Sequence, residues 1–244
     1  MSLAFFDVDG TLLPHPSLER RFFWSLVRRG EIPASNYLSW VAQMLRLGLT
    51  NPATAAESSK IYLRGVSIGV LSGSEARQIR WIPEFFPGAI HRVWWHALRG
   101  DQIVLLTGTL SPLAKIVQAA LERELLCRGV ETRILALSTR LATWKATWTG
   151  CVDGIPMLGK AKSVAAEIFA KVLDVPLSRC YAYGDRALDR WMLESVGNPI
   201  AVNPTFHLRR IARQKGWPVV NWASGVRHAA TKRNVLKWKG EVAR

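Results

Sequence analysis

The sequence predicts an α/β fold, a parallel sheet with helices between its strands, broken early by a helical insert. Short apolar runs of four or five residues recur, and three of them end in polar segments holding Asp, Thr and Asp. Helical patterns separate several of these runs. The stretch from Pro14 to Pro87 carries helical spacing and few strand signals.

In chain order, Leu3-Ala4-Phe5-Phe6 stops at Asp7 before a Gly-Thr turn and reads as a buried parallel strand. In the insert, Leu18, Phe22 and Leu26 recur at helical spacing, as do Tyr37, Trp40, Met44 and Leu47, with Gly48 placed to stop that second helix. Helical character continues from Ala53 to Gly65, and Ser74 to Trp81 reads as a further helix ended before Pro83. The aromatics of the insert read as core. A second strand is expected over Gln102 to Leu106, ending at Thr107-Gly108-Thr109, then a helix from Leu113 to Arg128 and a third strand over Arg133 to Leu137. Thr143 to Cys151 suggests a short hairpin. A helix from Ser163 to Leu173 leads to a strand over Arg179 to Tyr183, closed by Gly184-Asp185. A helix from Asp189 to Val196 and a strand over Pro199 to Val202 complete the pattern. The expected organisation is a discontinuous core of residues 1–13 and 88–222, a helical cap of residues 14–87, and a basic tail of residues 223–244.

Composition narrows the class. At 244 residues and 49% hydrophobic, the chain can bury a sizeable core. The amino terminus lacks the basic segment and long apolar run of a secretory signal, and no apolar stretch is long enough to span a bilayer. Cys127, Cys151 and Cys180 are scattered and odd in number, which argues against a disulfide framework or zinc site and favours a reducing cytoplasm. The net charge of +15 is uneven: from Ile200 to Arg244 there are ten Lys or Arg and one acid, Glu241. Such a tail can attract an anionic membrane, nucleic acid or anionic substrates, or be a solvated surface.

The sharpest chemical signal is Asp7-Val8-Asp9-Gly10-Thr11 after the first strand. Two acids at i and i+2 in extended backbone point the same way. Like charges so close resist ionising together unless a cation sits with them, and magnesium suits carboxylate plus phosphate sites. A solvated Asp-Gly turn is the alternative. Thr107-Gly108-Thr109 offers a hydroxyl and backbone N–H groups that can hold phosphate oxygens, or a plain helix cap. Gly159-Lys160-Ala161-Lys162 precedes the expected helix from Ser163, and a helix start is where anions bind. Gly184-Asp185-Arg186-Ala187-Leu188-Asp189 brings two more acids to a strand end. Ligands of open α/β sheets bind at such ends.

In this order, Asp7-x-Asp9-x-Thr11, Thr107, Lys162 and Gly-Asp185-x-x-x-Asp189 resemble the four motifs of the haloacid dehalogenase superfamily. Phe5 to Leu12, Tyr183-Gly184-Asp185 and Val202-Asn203-Pro204 resemble its IB subgroup, relatives of phosphoserine phosphatase, and the insert resembles a C1 cap on a Rossmann-like core. The resemblance implies a magnesium-dependent phosphatase of small phosphomonoesters. It implies that Asp7 is the nucleophile forming a phosphoaspartate and Asp9 the general acid and base. Thr107, Gly108 and Lys162 would hold the phosphoryl oxygens. Asp7, the Asp9 carbonyl and Asp185 would bind the metal, with Asp189 and Thr11 supporting. Lys162 is chosen over Lys160 because relatives place that lysine just before the helix.

Where phosphoserine phosphatases carry a Glu for the substrate ammonium, this chain has Pro16, which argues against phosphoserine. Arg64 and Arg186 are candidate substrate contacts, though Arg64 also reads as a solvated residue and Arg186 as a partner of Asp189. His15 could line the entrance or be an ordinary loop residue. A rival reading is a lipid-phosphate phosphatase docking on an anionic membrane through the tail and Trp217, Trp222 and Trp238. A nucleic-acid binder is a third, against which the intact motifs argue, and oligomeric state is open.

Overall fold

The computed structural model describes residues 1–50, 60–71 and 84–222. The expected helix from Ser74 to Trp81, much of the Ala53 to Gly65 segment, and the tail with Trp238 lie outside them.

Among the described residues, six parallel strands form the main sheet, in the order β3-β2-β1-β6-β7-β8. They are β1 (Leu3–Phe6), β2 (Gln102–Leu110), β3 (Leu135–Thr139), β6 (Tyr181–Gly184), β7 (Asn198–Val202) and β8 (Val219–Val220). The expected α/β class holds. The alternation of strand side chains explains why β1 and β2 are apolar throughout. Ala4, Phe6, Ile103 and Leu105 join one buried cluster, and Leu3, Phe5, Val104 and Leu106 join the other. Each fully buried Leu or Phe contributes roughly 1.5–3 kcal/mol.

The first face is covered by α3 (Pro87–Leu98) and α4 (Ser111–Leu126) through Ile90, Val93, Leu113 and Val117. Its cluster continues into Leu18, Phe22 and Leu26. The second face is covered by α5 (Lys160–Val172), α6 (Arg190–Glu194) and α7 (Phe206–Lys215), through small residues such as Ala165, Ala166 and Ala212.

Among the described residues, α1 (Leu18–Arg29), α2 (Ala34–Thr50) and two short 3₁₀ turns, Ile61–Leu63 and Ile68–Leu71, lie between β1 and α3. Ser17 caps α1 by accepting from the Arg20 N–H, and Gly30 ends it in the left-handed conformation. Helix α2 runs to Thr50, so Gly48 does not stop it. Near the second turn is an antiparallel hairpin of β4 (Leu141–Trp144) and β5 (Thr147–Val152). It is bonded to the insert rather than to the main sheet: Gly65 N–H donates to the Trp148 carbonyl at 2.8 Å, and Trp148 N–H to Val66 at 3.0 Å. The Trp148 ring meets Phe22 edge to face at 6.1 Å.

Several boundaries depart from expectation. Thr107-Gly108-Thr109 is not a loop but part of β2, whose register with β3 shifts between Thr107 and Leu110. Strand β3 lies two residues beyond the expected run. Lys160 and Lys162 belong to the first turn of α5 rather than preceding it. Trp217 and Trp222, which the rival reading puts at a membrane face, pack against the two apolar clusters, with Trp222 against Gly88 at the start of α3. No helix among the described residues is long and apolar enough to cross a membrane.

Candidate active site

The carboxyl ends of β1, β2 and β6 converge on one cluster. Asp7 follows β1, and its N–H donates to the Tyr183 carbonyl of β6 at 3.0 Å, which locks the two strand ends together. Gly10 turns the chain away with φ of +91°. A side chain there would collide with the Asp185 carboxylate and the His15 ring, so glycine is needed for conformation and for space.

Lys162 reaches in from the first turn of α5. Its Nζ lies 2.6 Å from Asp7 Oδ1 and 2.6 Å from Asp189 Oδ1, with all three residues buried. Lys160 is exposed. Burial alone would lower the Lys162 pKa, but Asp189 and Asp7 hold it above its ordinary value. Asp189 Oδ2 accepts the N–H groups of Asp185 at 3.2 Å and Arg186 at 3.0 Å, which fixes the loop after β6.

Carboxylate oxygens of Asp7, Asp185 and Asp189 lie within 4.8 Å of one another. Burial, first of all, pushes the Asp185 carboxyl up to about 6, against the hydrogen bond from His15. Burial also pushes Asp7 well up; Lys162 opposes that, and the other two carboxylates add to it. Asp185 Oδ1 is buried without a hydrogen-bond partner among the described residues. Crowded carboxylates with an orphaned oxygen fit a hard divalent cation, whose charge would favour their ionised forms.

Asp9 faces differently. Its Oδ1 accepts the Leu18 N–H of α1 at 2.6 Å, and its Oδ2 accepts the Thr109 hydroxyl at 2.5 Å. Its carboxylate thus stands outside the three-carboxylate group, between the first strand and the insert. Thr107 is buried, and its Oγ1 accepts the Thr109 N–H at 3.2 Å. Gly108 packs so closely under Leu158 that a Cβ would collide with it. Thr11 is fully buried, and its hydroxyl has no partner among the described residues. The loop is held instead by Asn203, whose side-chain N–H donates to the Gly10 carbonyl at 3.0 Å.

A cavity of about 480 Å³ opens over this cluster, with Asp7, Asp9, Thr107, Gly108, Lys162 and Asp189 at one end. Arg186 lines it, and Arg64 does not: Arg64 is exposed, and its carbonyl accepts from the Asn36 side chain at 2.6 Å. His15 is half exposed, with Nε2 3.2 Å from Asp185 Oδ2. That hydrogen bond raises its pKa, against partial burial.

Sequence reasoning missed several residues that line the other end of the cavity. Lys60, almost fully buried, places Nζ 2.5 and 2.6 Å from the two Glu19 oxygens, and the Tyr62 hydroxyl donates to Glu19 at 2.9 Å. Phe23, Trp24 and Trp40 form the adjoining wall. The one available signal was that Glu19 and Phe23 lie on one face of a helix that begins soon after the first motif.

A family profile described as haloacid dehalogenase-like hydrolase matches residues 4–194. The chain is 49% identical over 234 residues to an inhibition of morphological differentiation protein from Streptomyces azureus, covering 92% of this chain and 79% of that one. It is 30% identical over 224 residues to a phosphoserine phosphatase from Mycobacterium tuberculosis, covering 88% and 69% respectively. Among solved structures, a protein of unknown function from Bordetella pertussis aligns with a TM-score of 0.71 at 26% identity, covering 91% of this chain and 98% of that one.

Proposed function

This chain belongs to the haloacid dehalogenase-like hydrolase family and is a phosphoric monoester hydrolase; on that premise, we propose that it hydrolyses a small phosphomonoester through an aspartyl phosphate on Asp7. One observation carries the reading. A buried carboxylate at a strand end meets a buried ammonium at 2.6 Å, beside two further carboxylates, in the lining of a cavity.

In the first step an Asp7 oxygen attacks phosphorus, and the bond to the ester oxygen breaks. Asp9 delivers a proton to the departing alkoxide. In the second step Asp9 takes a proton from water, whose oxygen attacks phosphorus. Inorganic phosphate leaves, and the Asp7 carboxylate is restored. The Thr107 hydroxyl, the Gly108 N–H and the Lys162 ammonium hold the phosphoryl oxygens as their charge shifts. Thr109 and the start of α1 aim the Asp9 carboxyl. Asp7, Asp185 and the Asp9 carbonyl would hold magnesium, with Asp189 supporting; when bound, the ion supplies positive charge that neutralises phosphate oxygens. Thr11 helps shape the first loop. Residues 14–87 act as the cap over this core.

Phosphate release from a panel of sugar, amino-acid and alkyl phosphates, with magnesium or with a chelator, tests the reading. Turnover that needs magnesium and vanishes in Asp7→Asn is the expected result. Undiminished turnover by that variant contradicts it.

A further inference from the structure

The cavity has a second half that the catalytic steps do not use. Resting on the phosphatase reading above, we propose that the substrate's leaving group is a flat, mainly apolar ring on a short linker, seated against Trp24 and Trp40.

Three polar groups of this half, Glu19, Lys60 and Tyr62, satisfy one another. Both Glu19 oxygens are taken by Lys60, and one also accepts the Tyr62 hydroxyl. Glu19 already accepts three hydrogen bonds, so a substrate ammonium finds at most one lone pair there, and drawing Glu19 away from Lys60 would strand an ammonium whose side chain is only 1% exposed. A substrate carboxylate seeking Lys60 would strand Glu19 in the same way. At the catalytic end, Lys162 is engaged by Asp7 and Asp189. Arg20 is exposed and stands where water competes for it. Among the described residues, this half therefore offers poor recognition of the charged end of an amino acid.

What it does offer is aromatic surface. Trp24 is 48% exposed yet lines the cavity, so its ring is not spent on the core. Phe23 braces it edge to face at 5.4 Å and stacks on Trp40 at 5.7 Å, while Tyr62 meets Phe23 edge to face at 5.2 Å. Rings held by one another form a preset wall, which lowers the ordering cost of binding. The volume of about 480 Å³ falls within the range of clefts that enclose whole organic ligands. A phosphoryl group with a three-carbon amino acid would leave much of that wall wet. A ring would cover it and gain stacking with Trp24 or Trp40.

The test uses the full chain with magnesium and two non-hydrolysable probes, 2-phenylethylphosphonate and butylphosphonate, by titration calorimetry. The ring probe is expected to bind about tenfold tighter. Trp24→Ala and Trp40→Ala are each expected to shrink that ratio by about threefold to tenfold, and Trp24→Phe to keep most of it. In turnover, 2-phenylethyl phosphate should exceed butyl phosphate and phosphoserine in kcat/KM. Equal affinity for the two probes, a ratio that both alanine variants leave intact, or a preference for phosphoserine would overturn the proposal. Ring preference in binding with no phosphate released from any ester would sink the phosphatase reading, and the substrate claim with it.

Discussion

Asp7 and Lys162 stand 155 residues apart in the chain and 2.6 Å apart in space. The sequence offered two lysines for this place, and helix geometry separates them. Two residues along a helix is about 200° of rotation, so Lys160 and Lys162 face opposite ways. The inward one must be ionised, since two carboxylates surround it. Lys162→Ala should lower kcat/KM by about a hundredfold or more, the scale of losing one group that stabilises transferring charge. Lys160→Ala should stay within about twofold, because an exposed lysine adds little. Steady-state kinetics on both variants decides this, and equal losses would count against the assignment. The acids Asp7, Asp9, Asp185 and Asp189 were legible because each ends or follows an apolar strand. Glu19 and Lys60 were not. Within its helix Glu19 reads as a first-turn acid that favours the dipole, and nothing local marks a lysine 41 residues away as its partner.

At the scale of elements, the buried strands were readable and their edges less so. Continuous apolar runs identify strands covered on both faces, but they do not say where a polar end stops. Strand β2 carries Thr107 to Thr109 onward as a bulged extension, which aims the Thr109 hydroxyl at Asp9. Helix α7 was overlooked because its buried stripe is only Leu208 and Ala212. The hairpin turn was hidden too. Lys145 and Ala146 both adopt positive φ, at 45° and 61°, where a sequence reader looks for Asn-Gly. This hairpin supports the insert through Trp148, which is 3% exposed and packs on Phe22. Trp148→Ala should destabilise the protein by about 3–5 kcal/mol, the usual loss for a large buried aromatic. Denaturant unfolding measures it, and a change under about 1 kcal/mol would mean that the hairpin does not anchor the insert.

For the whole molecule, the parallel sheet concentrates acids at one end, and this ties stability to pH. The folded Asp185 carboxyl titrates at about 6, above the 3.8 of an ordinary aspartate, because burial disfavours its charge. Between those values the folded state holds more protons than the unfolded one. Its contribution to stability is therefore present at low pH and lost as pH rises toward 6. Asp7, also pushed up, acts in the same direction. Bound magnesium would compete with these protons and offset the loss. The rise in Tm on adding magnesium should be small at pH 5 and larger at pH 7.5, and should largely vanish in Asp185→Asn. Thermal melts at the two pH values check this, and a rise that is equal at both, or larger at the lower, contradicts it.

The most direct test of the central claim is chemical capture of the intermediate. Enzyme turning over a substrate with magnesium is quenched in acid and reduced with borohydride, which converts an aspartyl phosphate to homoserine, and the chain is then mapped by peptide mass spectrometry. Homoserine at position 7, absent without substrate, is the predicted result. Turnover that leaves position 7 as unmodified aspartate, or reduction at a different acid, would contradict it.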